Sequence, residues 1–305
     1  MRHSALLLAF VLSMTVITAS AVGAVPFKGS TPAIRALPVS SNSQLIGSDG
    51  IRHLLVVAPA AGTAPRTWYD VDIASRTRSI VSPPGDSCSV VAAGRGGLAA
   101  QCAGGDRNLI YLSGLPFDAW TAYDVPTEVL VGGATDFTVT GVGTHWLQLA
   151  VDGNHYAEVP VWVSRDDARV ERGLSSFVDL NSAALAVTVC KRLRSASLVG
   201  YSAPWAIGGS WRTTPSSLTI RSCNSAKSRV LTKHAERAQL SGSLAAWSYE
   251  RDAGVANLAT GAVQPIRIPG AKAAALLVGR YVLAQRNAHD QFSGEVGIVR
   301  LPEKF

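Results

Sequence analysis

The chain has 305 residues, of which 47% are hydrophobic and 16% are charged, and its formal net charge is +7. This balance excludes a disordered chain, because it supplies enough apolar side chains to form a core. The basic residues are scattered, and the densest cluster, Lys191–Arg194, is too short for a nucleic-acid-binding tract. We therefore expect no nucleic-acid partner.

Residues 1–24 have the pattern of a secretory signal peptide. A short basic start precedes an apolar core, Ala5–Ile17, and small residues then predict cleavage after Ala21 or Ala24. The apolar core is shorter than the roughly 20 residues that a membrane-spanning helix needs. We expect a secreted or extracytoplasmic mature chain that has no stable membrane anchor and is a monomer.

After the leader, apolar residues occur in runs bounded by Gly, Pro, Ser and Asp, and the runs are rich in β-branched and aromatic side chains. This pattern is typical of β-strands joined by short turns. Gly and Asn tolerate the positive φ of tight hairpin turns. Six segments repeat a turn residue of this kind before an apolar run, at Gly47, Gly94, Gly141, Asn181, Gly242 and Gly279.

A second pattern recurs behind these hairpins. In residues 68–85 a strand leads into the turn Asp72–Arg76 and then into a strand that ends at Pro and Gly. Residues 254–270 repeat this pattern around Asn257–Gly261. Residues 162–170 have the same shape. Each unit therefore holds about four strands in roughly 40 to 60 residues, which is the size of a propeller blade.

With these turns and hairpins, the sequence resembles the β-propeller superfamily, and most of all the exported bacterial propellers of the TolB-like or YVTN-repeat kind. The resemblance implies one all-β domain over residues 25–305, with six blades of four antiparallel strands. The last unit lacks its fourth strand, and Ala33–Pro38 resembles Ile266–Pro269. An N-terminal strand is therefore predicted to complete the last blade and remove an open sheet edge. Five or seven blades, or two β-sandwiches in tandem, are the alternatives.

Four cysteines stand at positions 88, 102, 190 and 223, without the Cys-x-x-Cys spacing of metal sites. An even number in an exported chain favours disulfides, for which three connectivities exist. We expect Cys88–Cys102, which brackets a predicted hairpin, and Cys190–Cys223, which lies within the fourth unit. Free buried thiols are the alternative.

The fourth unit is where the repeat becomes irregular, because 61 residues separate Asn181 from Gly242. We interpret residues 191–217 as an inserted loop that carries aromatic and basic side chains. Aromatic rings beside guanidinium groups suit a protein, peptide or glycan ligand. The predicted binding residues are Arg192, Arg194, Tyr201, Trp205, Trp211 and Arg212. In the alternative interpretation the tryptophans pack against the ring and the segment is a structural hairpin.

The sequence contains no Gly-x-Ser-x-Gly, His-Glu-x-x-His, phosphate-loop or dinucleotide motif, and its histidines, His53 and His145 among them, are isolated along the chain. No catalytic residue, metal ion or cofactor is predicted. We therefore expect an exported, non-catalytic propeller that acts as a binding or scaffold module for a protein, a peptide or a cell-wall glycan.

The alternative function is a hydrolase or lyase whose site is assembled from several blades at the mouth of the central channel. Three or more carboxylates or histidines at the channel would favour the enzyme. A channel wall of Ala, Val and Ser, together with the tryptophan-bearing loop exposed on one face, would favour the binding module.

Overall fold

The computed structural model describes residues 35–40, 43–58, 66–104, 106, 108–130, 136–152, 158–172, 180–183, 197–202, 204–209, 216–222, 228–235, 237–249, 252–267, 276–285, 296–301 and 305. Within these ranges the regular structure consists of β-strands and one 3-10 turn, Thr127–Leu130. None of the helical structure in this part of the chain is long and apolar enough to cross a membrane.

The strands form six four-stranded antiparallel sheets, as predicted for the blades of a propeller. Blade 1 consists of β2 (Gln44–Ser48), β3 (His53–Ala58), β4 (Thr67–Asp72) and β5 (Thr77–Val81). Blade 2 consists of β6 (Cys88–Gly94), β7 (Gly97–Cys102), β8 (Leu109–Ser113) and β9 (Thr121–Asp124). Blade 3 consists of β10 (Phe137–Val142), β11 (Trp146–Asp152), β12 (Glu158–Ser164) and β13 (Val170–Arg172).

The remaining sheets follow the same order along the chain. Blade 4 consists of β14 (Ser197–Ser202), β15 (Trp205–Gly209), β16 (Ser216–Ser222) and β17 (Ser228–Ala235). Blade 5 consists of β18 (Arg237–Ser241), β19 (Leu244–Tyr249), β20 (Asp252–Asn257) and β21 (Val263–Arg267). Blade 6 consists of β22 (Leu276–Val278), β23 (Tyr281–Gln285), β24 (Val296–Arg300) and the N-terminal strand β1 (Arg35–Ala36).

The N-terminal strand completes blade 6, which confirms the predicted closure and the propeller rather than tandem sandwiches. Arg35 lies opposite Ile298 and Ala36 opposite Gly297 in an antiparallel pair. Leu37, which follows the strand, is buried in a core that combines blade 1 residues such as Leu54 with blade 6 residues. The first and last described parts of the chain are therefore held together by both a sheet and a core.

The hydrophobic core lies between adjacent blades, since each sheet packs a face against its neighbour. One cluster joins Ala99 and Ile110 of blade 2 to Val139 and Leu147 of blade 3. The first strands of blades 1 and 2, 2 and 3, 4 and 5, and 5 and 6 lie side by side. The first strand of each sheet is thus the inner one, and the fourth strand forms the outer rim.

Three of the predicted turn glycines have a different role from the one we expected. Gly47, Gly94 and Gly141 lie within the first strands and lack the positive φ that we predicted, whereas Gly242 and Gly279 have φ values of 57° and 54°. A Cβ on Gly94 would lie only 2.0 Å from the carbonyl oxygen of Val142 in the next blade. Glycine is needed there because the backbones of neighbouring blades approach closely.

The fourth unit also differs from our prediction. Its described sheet begins at Ser197, and residues 197–202 and 205–209, which we interpreted as part of an inserted loop, are its first two strands. Asn181 lies in a turn that packs on blade 3: its Oδ1 accepts a hydrogen bond from the Thr144 backbone N–H at 3.1 Å. The glycine signal failed for this hairpin because the sequence between its two strands, at positions 203 and 204, is Ala-Pro.

The predicted Cys88–Cys102 disulfide is present and joins the start of β6 to the end of β7. The two residues are direct partners in the antiparallel register. Cys190 and Cys223 lie outside the described residues, so Cys190–Cys223 stays a prediction.

Candidate functional site

Turns from all along the chain meet at one end of the ring. Strands alternate in direction, so the turn after the first strand and the turn after the third strand lie at the same end of each blade. Backbone hydrogen bonds of 2.7–3.0 Å join the two turns in blades 1, 3, 5 and 6. We call this end the turn face; it comprises residues 49–52 and 73–76 in blade 1, 95–96 and 114–120 in blade 2, 143–145 and 165–169 in blade 3, 242–243 and 258–262 in blade 5, and 279–280 and 301 in blade 6.

The predicted turn after the third strand has the same chemistry in three blades. In blade 1 the Asp72 carboxylate accepts the backbone N–H groups two and three residues on, at 2.9 and 3.3 Å. Asn257 does so in blade 5 at 3.0 and 3.2 Å, and the Ser164 hydroxyl does so in blade 3 at 3.3 Å for both. These side chains favour such turns because a short polar group can pair with nearby backbone N–H groups. The fifth residue has positive φ each time, at Arg76, Ala168 and Gly261.

The first turn of blade 1 is the most firmly held part of the turn face. Asp49 is only 7% exposed. Its carboxylate accepts hydrogen bonds from the backbone N–H groups of Ile51 at 2.8 Å, Arg52 at 2.7 Å and His53 at 2.9 Å. The Gly279 N–H donates to the Gly50 carbonyl across the blade 6–blade 1 boundary at 2.9 Å. This turn holds Ile51 outward with 55% of its surface exposed.

An ion pair lies beside this turn. The Arg52 guanidinium donates from Nε to Asp72 Oδ1 at 2.7 Å and from Nη2 to Asp72 Oδ2, in the two-point geometry that guanidinium and carboxylate groups favour. This contact holds the pKa of Asp72 well below its usual range. The pair thus fixes an exposed cation at the seam between the last and the first blade.

A histidine and a carboxylate pair up below the same turn, although His53 is isolated along the sequence. His53 Nδ1 lies 2.8 Å from Asp70 Oδ1, and Asp70 is only 4% exposed. The other carboxylate oxygen accepts the backbone N–H of Phe117, from the blade 2 part of the turn face, at 3.2 Å. Sequence reasoning missed this pair because the two residues meet across neighbouring strands 17 positions apart. The arrangement fixes the blade 1 turn against blade 2.

Blade 3 presents a different set of charges. His145 Nδ1 lies 2.7 Å from Asp166 Oδ2, and both side chains are exposed to solvent, at 37% and 58%. Arg165 points inward instead, where its Nη1 donates to the carbonyl oxygens of Gly96 at 2.9 Å and Gly143 at 2.7 Å. Burial lowers the pKa of Arg165. Its guanidinium therefore ties the turns of blades 2 and 3 together, while the acidic groups remain outside.

Of the predicted binding residues, the structure brings two together on one hairpin. Tyr201 lies in β14 and Trp205 begins β15. Trp205 is half-buried and packs against a core that includes Ile207 and Leu218, which favours the structural interpretation of this tryptophan. The other four, Arg192, Arg194, Trp211 and Arg212, lie outside the described residues.

The six inner strands, which form the described wall of the central channel, consist mainly of apolar, hydroxyl and amide residues, and Arg237 is the one charged residue within them. Their sequences are Gln44–Ser48, Cys88–Gly94, Phe137–Val142, Ser197–Ser202, Arg237–Ser241 and Leu276–Val278, and none of these stretches contains Asp, Glu or His. Three or more metal-ligating side chains are nowhere grouped in the ranges that the structure covers.

Side-chain amides also join neighbouring blades at this wall. Gln101 of β7 donates from Nε2 to the Phe137 carbonyl at 2.9 Å and accepts the Val139 N–H through Oε1 at 3.1 Å. Gln239 of β18 accepts the Leu277 N–H at 2.7 Å. These amides satisfy backbone groups of the inner strands that no neighbouring strand can reach. The inner wall is therefore fixed by contacts between blades.

No protein-family model matches the chain, and no curated protein matches it. Among solved structures it is similar to the WD40 domain of Pan2 from Neurospora crassa, with a TM-score of 0.48, 9% identity, and coverage of 90% of this chain and 96% of that one. For an oligogalacturonate lyase in complex with manganese the TM-score is 0.45 and the identity 10%, and the match covers 90% of this chain and 98% of that one. For TolB from Acinetobacter baumannii the TM-score is 0.38 and the identity 9%, and the match covers 75% of this chain and 55% of that one. All three similarities concern the fold alone.

Proposed function

We propose that the protein is an exported, non-catalytic propeller that binds a protein, a peptide or a cell-wall glycan on its turn face. The observation that carries the proposal is the fixed display of exposed side chains at the seam of blades 6 and 1. Three N–H bonds to Asp49 and the Gly279–Gly50 bond hold that turn before any ligand arrives. A surface fixed in advance loses little conformational entropy when it binds.

Two further observations support the proposal. The described inner strands offer hydroxyl and amide groups, which suit hydrogen bonding to a ligand or to neighbouring blades. The leader pattern of residues 1–24 and the Cys88–Cys102 disulfide support export, because disulfides persist in oxidising compartments. Mass spectrometry of the mature N-terminus tests export: a chain that starts at Val22 or Val25 agrees with it, and an intact Met1 contradicts it.

A capture experiment tests the binding proposal. Wild-type protein, Ile51→Ser and the control Ile80→Ser are immobilised and exposed to the extracytoplasmic fraction and to purified peptidoglycan. The two isoleucines are matched, since Ile51 is 55% exposed on the turn face and Ile80 is 62% exposed on the outer strand β5. We expect a ligand that wild type and Ile80→Ser retain and Ile51→Ser loses. Equal retention by all three proteins, or retention by none, would contradict the proposal.

A further inference from the structure

We propose that the outer strand of blade 3, β13, is a docking site at which an extended peptide segment of a partner protein pairs as a fifth strand. The site has two parts, an open strand edge and a groove beside it. It lies on blade 3, apart from the seam of blades 6 and 1. Its test is therefore independent of the test of the proposed function.

Two residues of β13 have backbone groups that point away from the sheet. In the described part of the chain, β13 has β12 as its one strand neighbour. The Ser164 N–H donates to the Arg169 carbonyl at 2.9 Å, so these two residues form a hydrogen-bonded pair at the start of the ladder. Hydrogen-bonded and non-hydrogen-bonded pairs alternate along antiparallel strands. Val170 and Arg172 therefore lie in non-hydrogen-bonded pairs, and their N–H and C=O groups face the open edge.

The corresponding edge of blade 5 is closed by its sequence. There the Asn257 N–H donates to the Ala262 carbonyl at 2.8 Å, which sets the same alternation. By the two registers, Pro265 occupies in β21 the position that Arg172 has in β13. Proline has no N–H to donate, so it protects an outer strand from the addition of another strand. The edge of blade 3 has an N–H group at this position and is open.

A groove with a volume of about 510 Å³ runs beside the open edge. Its lining residues are Pro126, Glu128, Ala168, Arg169, Val170 and Arg172. Val170 packs against the core shared by blades 2 and 3, and Pro126 belongs to the connection that follows β9. The volume is in the range of sites that hold a small ligand, which is enough for one side chain and its neighbours. An apolar side chain of the added strand can therefore be buried against Pro126 and Val170.

The two walls of the groove are joined by a side chain. Arg172 donates from Nη2 to the carbonyl oxygens of Glu128 and Val129, the second at 2.8 Å. Its guanidinium thus holds β13 against the 3-10 turn Thr127–Leu130, which forms the other wall. A site whose walls are fixed in advance loses little conformational entropy when it binds.

The edge and the groove together specify an extended peptide. Val170 and Arg172 offer backbone donors and acceptors at a two-residue repeat, and a β-strand presents matching groups at the same repeat. A glycan has no such backbone pattern. The groove carries both signs of charge, from Glu128 and from two arginines, so backbone pairing and the apolar wall select the ligand instead of net charge.

Amide hydrogen exchange, followed by nuclear magnetic resonance of the full mature protein, tests the edge directly. In the free protein we expect fast exchange at Val170 and Arg172 and slow exchange at Glu171, which lies opposite Trp162 in a hydrogen-bonded pair. The probe is a labelled peptide of about seven residues that alternates valine with serine. Its addition should slow exchange at Val170 and Arg172. Its affinity, measured by fluorescence anisotropy, should change less than about twofold with added salt.

A variant and a pair of modified probes locate the contact. Val170→Pro removes an outward N–H without breaking a ladder bond and should weaken binding about tenfold, which is about 1.4 kcal/mol. Val263→Pro, at the equivalent position of the closed edge of blade 5, is the matched control and should bind as wild type does. Peptides N-methylated at all valines or at all serines should differ in affinity, because only one of the two sets of N–H groups can face β13.

Several outcomes would overturn the inference. Slow exchange at Val170 and Arg172 in the free protein would show that the edge is already covered. Protection that appears without peptide and grows with protein concentration would make a second copy of the chain the occupant. No binding of the probe, or equal binding of the two methylated peptides, would exclude strand addition at β13. Equal binding by Val170→Pro and wild type would do the same, and circular dichroism melts exclude unfolding as the cause of a loss.

Discussion

Side chains with one role recur at equivalent positions of the blades. Asp72, Ser164 and Asn257 are three residue types that cap the same turn, and the sequence predicts all three turns because each is a local pattern. The partners of His53 and Arg165 are not local. Arg165 contacts the Gly96 carbonyl, 69 residues away, so this contact depends on how blades 2 and 3 pack and cannot be predicted from the sequence.

The fifth position of the capped turn gives a residue-scale prediction. Ala168 has a φ of 58°, where a Cβ is disfavoured and glycine is not. We expect Ala168→Gly to raise the free energy of unfolding by about 0.5–1 kcal/mol, since the relief of strain exceeds the added entropy of the unfolded chain. Ala74→Gly, also in an exposed turn but without positive φ, should lower it. Chemical denaturation measures both, and a destabilised Ala168→Gly would contradict the account.

Asp118, also in a turn, should make the stability of the fold depend on pH. Asp118 accepts hydrogen bonds from the Ser113 hydroxyl at 2.7 Å and from two backbone N–H groups, which lowers its pKa to about 2. Because the folded pKa lies below the ordinary value of 3.8, this carboxylate stabilises the fold above about pH 4, and its effect is lost as the pH falls towards 2.

The melting temperature of Asp118→Ala should therefore be lower than that of wild type at pH 6, and this difference in melting temperature should shrink as the pH approaches 2. Thermal melts over this pH range measure the effect. Asp124→Ala, an exposed carboxylate on β9, is the control. A difference between Asp118→Ala and wild type that stays constant with pH would show that the lost contacts are not those of the ionised carboxylate.

At the scale of the elements, the repeated glycine pattern in the sequence locates the first hairpin in some blades and not in others. The glycines at positions 47, 94 and 141 mark the inner strands correctly, but not because of a turn. The backbone of the next blade lies close to Gly47 and Gly94, and the Leu180 side chain lies close to Gly141. Blade 4 carries its first hairpin at 197–209, and the Ala-Pro sequence between the two strands resembles none of the other turn sequences. The spacing of strands along the sequence does not reveal how closely neighbouring blades approach. The predicted role of these glycines and the predicted position of the blade 4 hairpin were therefore wrong.

Close packing between inner strands predicts a difference between two glycines. Gly94→Ala would place a methyl group 2.0 Å from the Val142 carbonyl oxygen, and we expect a loss of more than about 2 kcal/mol of stability because backbone must move. Gly242→Ala meets nothing within 4 Å and should lose only about 1 kcal/mol through its positive φ. Urea unfolding of both variants compares them. Equal losses would show that blades 2 and 3 are not held at this distance.

For the whole molecule, the sequence predicts the number of described sheets and the closing strand, because a missing fourth strand and a matching N-terminal segment are both visible in it. It does not predict which turns meet at the seam of the last and first blades. The Gly279 N–H donates to the Gly50 carbonyl only because the ring is closed. This part of the turn face is therefore a property of the assembled ring.

Ring closure depends on the residue that follows the N-terminal strand. Leu37 is 6% exposed and packs with Leu54 and Ile298, while the Pro38 carbonyl accepts a hydrogen bond from Arg78 at 3.0 Å. We expect Leu37→Ala to lower the free energy of unfolding by about 2–4 kcal/mol and to speed proteolysis near the N-terminus. Val39→Ala, a half-buried residue nearby, should lose less. An unchanged Leu37→Ala would mean that the strand does not close the ring.

The central claim is that ligands meet the ring on its turn face, and photo-crosslinking in the living cell tests it most directly. Benzoylphenylalanine is placed at positions 51, 76 and 280 on the turn face and at positions 80 and 230 on the outer strands. We predict covalent adducts from the first three positions and none from the last two. Adducts from the outer-strand positions alone, or none from position 51, would contradict the claim.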